Sequence, residues 1–492
     1  MLFNSFEFAV FLPLVFAIYW FLLKDKLRLQ NIFLILASYL FYGWWDWRFL
    51  SLIIISSFVD YKLGILIFNQ GKKKKRKYLL WLSLLVNLGF LGYFKYYNFF
   101  VDSFVDAFAG LGISLQARSL NVILPVGISF YTFQTLSYSL DIYKHKIKPT
   151  YDIFQFFAFV SFFPQLVAGP IERASQLLPQ FSKNRNFDID KAKDGIRQIM
   201  WGFFKKIVIA DNAATVVNRI FDNSEIMHPF LLWVGAIFFA FQIYGDFSGY
   251  SDIAIGTSRL FGFNLMRNFN LPYFSKDFSE FWRRWHISLS TWLRDYLFLP
   301  ISYSTLRIFN KNTFLKIKVE IWAYLTGILL TWFLGGLWHG AKWTFILWGS
   351  LHGLYLMLGH STKKIRKRLL KKMSVKKTNP VLVFFQIIGV FLLTSLAWVF
   401  FRAEDIGQAF SYLNNMLSFD AFHIPLIPFQ IKKNFIILIL FVAAEYIQRN
   451  KQHVLSVEYL HVTLRWFSYI FTLYIILLFG NFNKIEFIYF QF

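Results

Sequence analysis

The chain contains no cysteine among its 492 residues. This absence excludes disulfide bonds, thiol nucleophiles and cysteine-ligated metals, and it removes redox chemistry as a guide to the compartment. Charge is also sparse, because only 16% of the residues are Asp, Glu, Lys or Arg. The longest polar stretches, near residues 174–195 and 361–379, are too short to hold a soluble domain with its own core.

Apolar residues dominate what remains. Hydrophobic residues make up 57% of the chain and aromatic residues 22%, which is far above the composition of a soluble globular protein. The apolar runs approach the roughly 20 residues of a membrane-spanning helix, and they lack the alternation of an outer-membrane barrel. The sequence therefore predicts an all-α polytopic membrane protein, with spans near 6–23, 30–45, 49–69, 79–95, 121–141, 151–168, 197–215, 229–245, 320–338, 341–359, 381–401, 433–447 and 464–481.

Positive charge is concentrated in short loops. The net charge is +25, and its clearest runs lie at 72–77 and 363–377, beside apolar spans. This distribution is typical of cytoplasmic loops, and no aromatic stacking platform accompanies the runs, so we predict no nucleic-acid partner. Residues 1–23 lack a basic leader and a small-residue cleavage site, so we interpret them as a retained span with an outward N-terminus.

The middle third of the chain differs from the flanks. Helix breakers interrupt half-apolar segments at Pro164, Gly169, Pro170, Gly245, Gly249, Gly256, Pro272 and Pro300. Broken or re-entrant helices tolerate such breaks where protein or water surrounds the backbone. We therefore predict one integral-membrane domain, in which wall helices at 1–149 and 361–492 surround a catalytic core at 150–360.

One histidine lies between two membrane-compatible stretches. His339 is flanked by Gly335, Gly336 and Gly340, which permit a kink and close backbone approach. Ionisable groups are costly inside a membrane, and a neutral imidazole can act as a general base. The alternative is a core histidine with satisfied hydrogen bonds. His352 fits structural packing better than chemistry.

A second histidine lies in a tryptophan-rich segment at 281–296. Drawn as one helix, the segment places Arg283, His286, Ser290 and Arg294 on a polar stripe opposite its apolar residues. This helix could lie at the membrane interface, or its stripe could line a cavity where arginines meet the phosphates of an acyl carrier.

A polar cluster at 242–252 follows an apolar run. It contains Asp246 and Asp252, and buried carboxylates are rarely left without a partner. We expect the arginines of 283–294 to pair with them, although the cluster could instead line a substrate tunnel. No spaced set of histidines and carboxylates predicts a metal site.

Taken together, these elements resemble the membrane-bound O-acyltransferase family, specifically its bacterial alginate O-acetylation branch. The resemblance is weakest after about residue 415, and it is most specific in WRRWH at 282–286 and GGLWHGA at 335–341. It rests also on residues 3–8, 124–131, 163–173 and 244–252. It implies a ring of roughly a dozen helices around a thinned centre, with His339 as the catalytic histidine and His286 as the second active-site histidine.

The resemblance also implies the reaction. We expect a bacterial inner-membrane enzyme that moves an acyl group, acetyl in particular, to an exported polysaccharide or a periplasmic transferase of the SGNH type. The donor would be a cytoplasmic thioester, either acetyl-CoA or an acyl carrier protein, with no tightly bound cofactor. Donor or substrate binding is assigned to the polar set Arg283, Arg284, Ser290, Arg294, Asp246 and Asp252. The alternatives are a flippase for a lipid-linked sugar and a noncatalytic scaffold for a secreted acetyltransferase.

Overall fold

The computed structural model describes residues 1–115, 120, 122–309, 313–483 and 485–488. The first residue of the predicted span at 121–141 and the last four residues of the chain therefore lie outside the description. Helices make up 75% of the structure, which confirms the all-α prediction. The chain divides into two compact units, one formed by Met1–Phe203 with Tyr250–Met266 and the other by Phe204–Gly249 with Arg267–Phe492.

The first unit consists of short and long helices. Its α-helices are α1 (Phe6–Ala17), α2 (Leu27–Asp46), α3 (Leu50–Asn69), α4 (Lys73–Leu91), α5 (Tyr97–Ala109), α6 (Ile128–Tyr143), α7 (Ile153–Ser161), α8 (Phe163–Leu166), α9 (Ala174–Leu177) and α10 (Ile189–Phe203). Wider π turns at Ile18–Leu22 and Gly92–Tyr96 and 3-10 turns at Trp47–Phe49 and Leu178–Ser182 extend these helices.

A buried carboxylate holds three helices of the first unit together. Asp60 of α3 accepts hydrogen bonds from Ser83 Oγ at 2.5 Å, Asn87 Nδ2 at 2.7 Å and Ser139 Oγ at 2.9 Å. These donors come from α4 and α6, and they replace the hydration that burial removes.

The predicted break near Pro164 is confirmed. Phe162 leaves the helical conformation between α7 and α8. The adjoining turn requires Gly127, whose φ is +77° and whose missing Cβ leaves space for the backbone of Leu166.

The second unit holds most of the remaining helices. They are α11 (Asp211–Phe221), α12 (Pro229–Leu260, shared with the first unit), α13 (Phe278–Arg284), α14 (Ile287–Leu293), α15 (Leu299–Ile308), α16 (Val319–His339), α17 (Trp343–Ser361), α18 (Lys363–Lys372), α19 (Pro380–Arg402), α20 (Ile406–Met416), α21 (Phe429–Ile447) and α22 (Val462–Phe479). Two π turns (Phe204–Ala210, Arg294–Phe298), two 3-10 turns (Pro272–Phe274, Phe419–Phe422) and the antiparallel strands β1 (Thr313–Phe314) and β2 (Ile317–Lys318) complete it.

The prediction that glycines break the helix at 245–256 is wrong. α12 runs without interruption over 32 residues. A Cβ at Gly245 would lie 2.9 Å from the carbonyl oxygen of Lys205, and one at Gly256 would collide with the carbonyl oxygen of Gly195. These glycines therefore allow close packing of helices. Pro300 does not break its helix either, since it lies in the first turn of α15.

Six helical stretches of the described chain are long and apolar enough to cross a membrane. They are Leu27–Asn69, Lys73–Ala109, Pro229–Leu260, Val319–His339, Pro380–Arg402 and Val462–Phe479. These stretches make the chain a multi-pass membrane protein. The division into wall and core regions stays a prediction.

Candidate active site

His339 is the last residue of α16. The backbone adopts an extended conformation at Gly340, with φ −159° and ψ 149°. The irregularity predicted here is therefore the end of a helix and not a kink. The imidazole is buried, with 4% of the residue exposed. Its ring centroid lies 4.9 Å from that of Trp338, 4.8 Å from Trp348 and 5.5 Å from Phe401. Large aromatic rings therefore fix its orientation.

Glycines allow α17 to pack directly against the end of α16. A Cβ at Gly336 would collide with the carbonyl oxygen of Phe345, and one at Gly349 would collide with that of Trp332. Only hydrogen at these positions lets the two backbones approach this closely. The approach brings Trp348 of α17 onto the ring of His339.

His286 lies in the short link between α13 and α14. Its backbone adopts the left-handed conformation, with φ +41° and ψ 56°. Few residues other than glycine adopt this conformation, and such strain is found often at functional sites. The residue is fully buried, with the ring of Phe247 at 4.6 Å in an edge-on contact.

Asn268 sets the tautomer of His286. Asn268 Oδ1 accepts hydrogen bonds from Ser288 N at 3.2 Å and Ser288 Oγ at 2.9 Å, which identifies this atom as the amide oxygen. It also lies 3.2 Å from His286 Nδ1. Because an amide oxygen only accepts, Nδ1 must carry the proton and Nε2 is left as the basic nitrogen. Burial also lowers the pKa of His286 to about 3, so the ring is neutral near pH 7.

The two histidines lie near each other. Their ring centroids are 6.4 Å apart, with an angle of 67° between the rings. Two imidazoles at this spacing can act on the same hydroxyl, or exchange a proton through one bridging oxygen. Among the residues that the structure describes, no group of three His, Asp or Glu could hold a metal ion. The spacing of the two imidazoles suits the pair to acid–base chemistry.

The prediction of a continuous helix at 281–296 is wrong, because the turn at His286 separates α13 from α14. Arg283 and Arg294 are exposed while His286 is buried, so they do not form one stripe. Arg294 pairs with the neighbouring Asp295 at 2.7 Å, and Ser290 Oγ donates to the carbonyl oxygen of Trp285.

Arg284 pairs with Glu280 at 2.7 Å, one helical turn away on α13. Arg283 makes a long hydrogen bond of 3.4 Å to Ser279 Oγ. Arg284 and Arg294 thus pair with acidic residues of their own segment, and Arg283 is exposed. Donor or substrate binding by Arg283, Arg284, Ser290 and Arg294 remains a prediction.

The carboxylates of the 242–252 cluster have other partners than the arginines of 283–294. Asp246 forms an ion pair with Lys206 at 2.9 Å, and Lys206 also binds Asp211 at 2.8 Å. The backbone N–H of Ile488 donates to Asp246 at 2.7 Å. The prediction that Asp246 pairs with those arginines is therefore wrong. The prediction that Asp246 takes part in a structural ion pair agrees with its contact with Lys206.

Lys206 could have been found in the sequence, because it is an ionisable residue inside the apolar run at 197–215. Nothing in the sequence indicated which carboxylate it would meet. In the first unit, Asp252 accepts a hydrogen bond from Gln198 at 2.7 Å. Substrate contact by Asp246 or Asp252 remains a prediction.

His352 is enclosed by aromatic rings. The ring centroids of Trp282 and Trp348 both lie 5.0 Å from its own, and the ring of Phe281 stacks parallel to it. Within the described residues neither ring nitrogen has a hydrogen-bond partner. This environment agrees with the interpretation of His352 as a packing residue.

Comparison with known protein families gives one match that covers most of the chain. Residues 39–401 match the model of the membrane-bound O-acyltransferase family. Both histidines lie inside the matched range, as do α12, α16 and α17.

Three relatives are named for different acylation reactions. The chain is 39% identical to a probable alginate O-acetylase of Azotobacter vinelandii, over 85% of this chain and 78% of the relative. It is 34% identical to a peptidoglycan O-acetyltransferase of Helicobacter pylori, over 85% and 80%. A teichoic acid D-alanyltransferase of Streptococcus thermophilus is 29% identical over 54% of this chain and 65% of the relative.

Proposed function

The chain belongs to the membrane-bound O-acyltransferase family and catalyses O-acyl transfer, and on that premise we propose that it moves an acetyl group from a cytoplasmic thioester to a hydroxyl acceptor outside the membrane. The acceptor is an exported polysaccharide or a periplasmic transferase that passes the group on. The location is the bacterial inner membrane. Support comes from the polysaccharides in the names of the relatives, which are alginate, peptidoglycan and teichoic acid.

The buried pair of histidines carries this proposal. His339 accepts the proton of the acceptor hydroxyl, and the resulting alkoxide oxygen attacks the thioester carbonyl. The tetrahedral intermediate then breaks its carbon–sulfur bond, and the leaving thiolate takes the proton back from the imidazolium. A positioned base of this kind contributes roughly 10²- to 10⁴-fold to the rate.

His286 positions the acceptor or shares its proton. Because Asn268 holds the proton on Nδ1, the basic Nε2 is the atom that can accept a hydrogen bond from a hydroxyl. The ring spacing of 6.4 Å allows both histidines to serve one acceptor oxygen. The thioester donor is a substrate and leaves after each turnover.

The proposal is tested with purified full-length protein in proteoliposomes. The donor is acetyl-CoA in one reaction and an acetylated carrier protein in another, and each donor is tested with an oligosaccharide acceptor and, separately, with a periplasmic transferase of the SGNH type. We expect cleavage of one donor thioester and equal transfer of acetyl to the acceptor. A flippase or a scaffold would leave both thioesters intact, so the absence of turnover with both donors would reject the proposal.

A further inference from the structure

A cavity lies in the second unit, at the ends of several helices. Its volume is about 860 Å³. It is lined by the start of α13, Tyr324 of α16, the last turns of α17, much of α18 and the start of α19. None of its lining residues belongs to the pair of active-site histidines. We refer to it as the α18 pocket.

The lining of the α18 pocket is strongly basic. Its cations are Lys276, Arg283, Lys363, Arg366, Lys367 and Lys377, while its single carboxylate is Asp277. Asp277 already accepts a hydrogen bond from the backbone N–H of Glu280 at 2.8 Å. None of the salt bridges within the described residues involves the pocket residues Arg283, Lys363, Arg366, Lys367 or Lys377. The pocket therefore holds an excess of positive charge that attracts an anion.

One wall of the pocket is apolar. Leu356, Leu369, Leu370 and Leu382 face it together with Tyr324 and Tyr355. α18, which carries three of the six cations, also exposes apolar side chains, since Ile365 is 58% and Leu369 52% exposed. A short basic helix with exposed apolar residues is typical of the membrane interface. A ligand that combines an anionic group with an apolar chain fits this lining better than a purely polar anion.

The position along the chain agrees with an interfacial location. α18 directly follows α17, and α19, which is long enough to cross a membrane, begins eight residues after α18 ends. Phospholipid headgroups lie at the ends of such helices. The excess of lysine and arginine indicates the cytoplasmic leaflet, where anionic lipids attract basic segments.

We propose that the α18 pocket binds the phosphate group of an anionic phospholipid of the cytoplasmic leaflet. The arginine and lysine side chains of α18 hold the phosphate, and the acyl chains lie along the leucines of the wall. The same phosphate chemistry occurs in acyl-CoA, which is soluble and lacks a pair of long acyl chains. The experiment therefore separates these two sources of phosphate.

The test uses the full-length protein in lipid nanodiscs and native mass spectrometry. A triple variant, Lys363→Gln with Arg366→Gln and Lys367→Gln, removes three charges from the α18 pocket. The matched control, Lys72→Gln with Lys73→Gln and Lys74→Gln, removes three charges from the other basic loop. All variants are exposed to phosphatidylglycerol, to zwitterionic phosphatidylcholine and to coenzyme A.

We expect the wild-type protein to retain phosphatidylglycerol in preference to phosphatidylcholine. The pocket variant should retain at least about tenfold less phosphatidylglycerol than the wild-type protein. The control variant should match the wild-type protein. Phosphatidylglycerol should also raise the melting temperature of the wild-type and control proteins but not that of the pocket variant.

Two results would overturn the proposal. Equal loss of phosphatidylglycerol in the pocket and control variants would mean that general surface charge attracts the lipid. Loss of coenzyme A binding in the pocket variant, with unchanged retention of phosphatidylglycerol, would assign the pocket to the soluble phosphate source. Because acyl transfer is not the readout, a failure here is distinct from a failure of the proposed reaction.

Discussion

The two histidines are held in place by different kinds of contact. The rings of Trp338, Trp348 and Phe401 surround His339. His286 packs against the ring of Phe247 and also contacts an amide oxygen that comes from 18 residues earlier in the chain. A hydrogen bond to an amide oxygen also decides which nitrogen of His286 carries the proton. Nε2 is left to accept a hydrogen bond from the acceptor hydroxyl, which is the role of a positioning residue.

His339→Ala should insert normally but lose 10²- to 10⁴-fold of the acetyl transfer rate, because the base is removed. His339→Gln should be nearly as inactive, since an amide cannot take the proton. The measurement is acetylation of the exported polysaccharide, normalised to the amount of each variant in the membrane. His423→Ala, at an exposed histidine, is the control and should retain full activity. Wild-type acetylation by His339→Ala would remove this residue from the mechanism.

Asn268→Asp should change the pH dependence of transfer. A carboxylate beside Nδ1 stabilises the imidazolium and raises the pKa of His286, which is about 3 in the wild-type protein. The neutral form is then lost at a higher pH, so activity should decline earlier as the pH falls. Asn264→Asp places the same charge at an exposed position four residues earlier in the chain and should leave the profile unchanged. Identical profiles for both variants and the wild-type protein would exclude tautomer control by Asn268.

At the scale of helices, glycine decides how closely neighbours pack. Gly336→Ala should destabilise the hairpin of α16 and α17, because the new methyl group collides with the carbonyl oxygen of Phe345. Overpacking of this kind costs about 1–3 kcal/mol. Gly359→Ala in α17 is the control, since a Cβ there meets no atom within 4 Å. Melting temperatures in detergent measure both, and equal values would mean that the helices separate at little cost.

The ion pairs of Lys206 connect the turn after α10 to α12. Lys206→Met would leave Asp211 and Asp246 buried without a cation, at a cost of roughly 3–5 kcal/mol. Lys191→Met removes an exposed pair with Asp188 and should cost less than about 1 kcal/mol. Thermal unfolding of the two variants should therefore differ clearly. Similar melting temperatures would mean that the buried carboxylates are compensated in another way.

At the scale of the whole molecule, the basic loops predict the topology. Reporter fusions after Lys77 and near Lys372 should both report the cytoplasm, because each site lies in a run of lysine and arginine next to an apolar helix. The fusion near Lys372, at the end of α18, also reports on which side of the membrane the α18 pocket lies. A periplasmic signal at either position would contradict the span assignment and the side from which the donor enters.

The sequence by itself determined the class of the protein and its family, and it singled out two histidines as the candidates for catalysis. Composition and the length of apolar runs depend only on the chain, so the all-α membrane architecture could be predicted from them. The elements WRRWH and GGLWHGA are contiguous, so His286 and His339 stood out without a structure. Such local features can be recognised in the sequence because they do not depend on contacts with distant residues.

The tertiary structure decided which residues meet. The break at His286, the continuity of α12 and the pairing of Asp246 with Lys206 all differ from the predictions. Asn268 was not predicted, because nothing in its own surroundings marks it as the partner of a histidine. Each of these outcomes depends on contacts between residues far apart in the chain. Helix propensity and periodicity depend only on residues that are close together in the sequence. Which partners these residues meet is decided by tertiary packing.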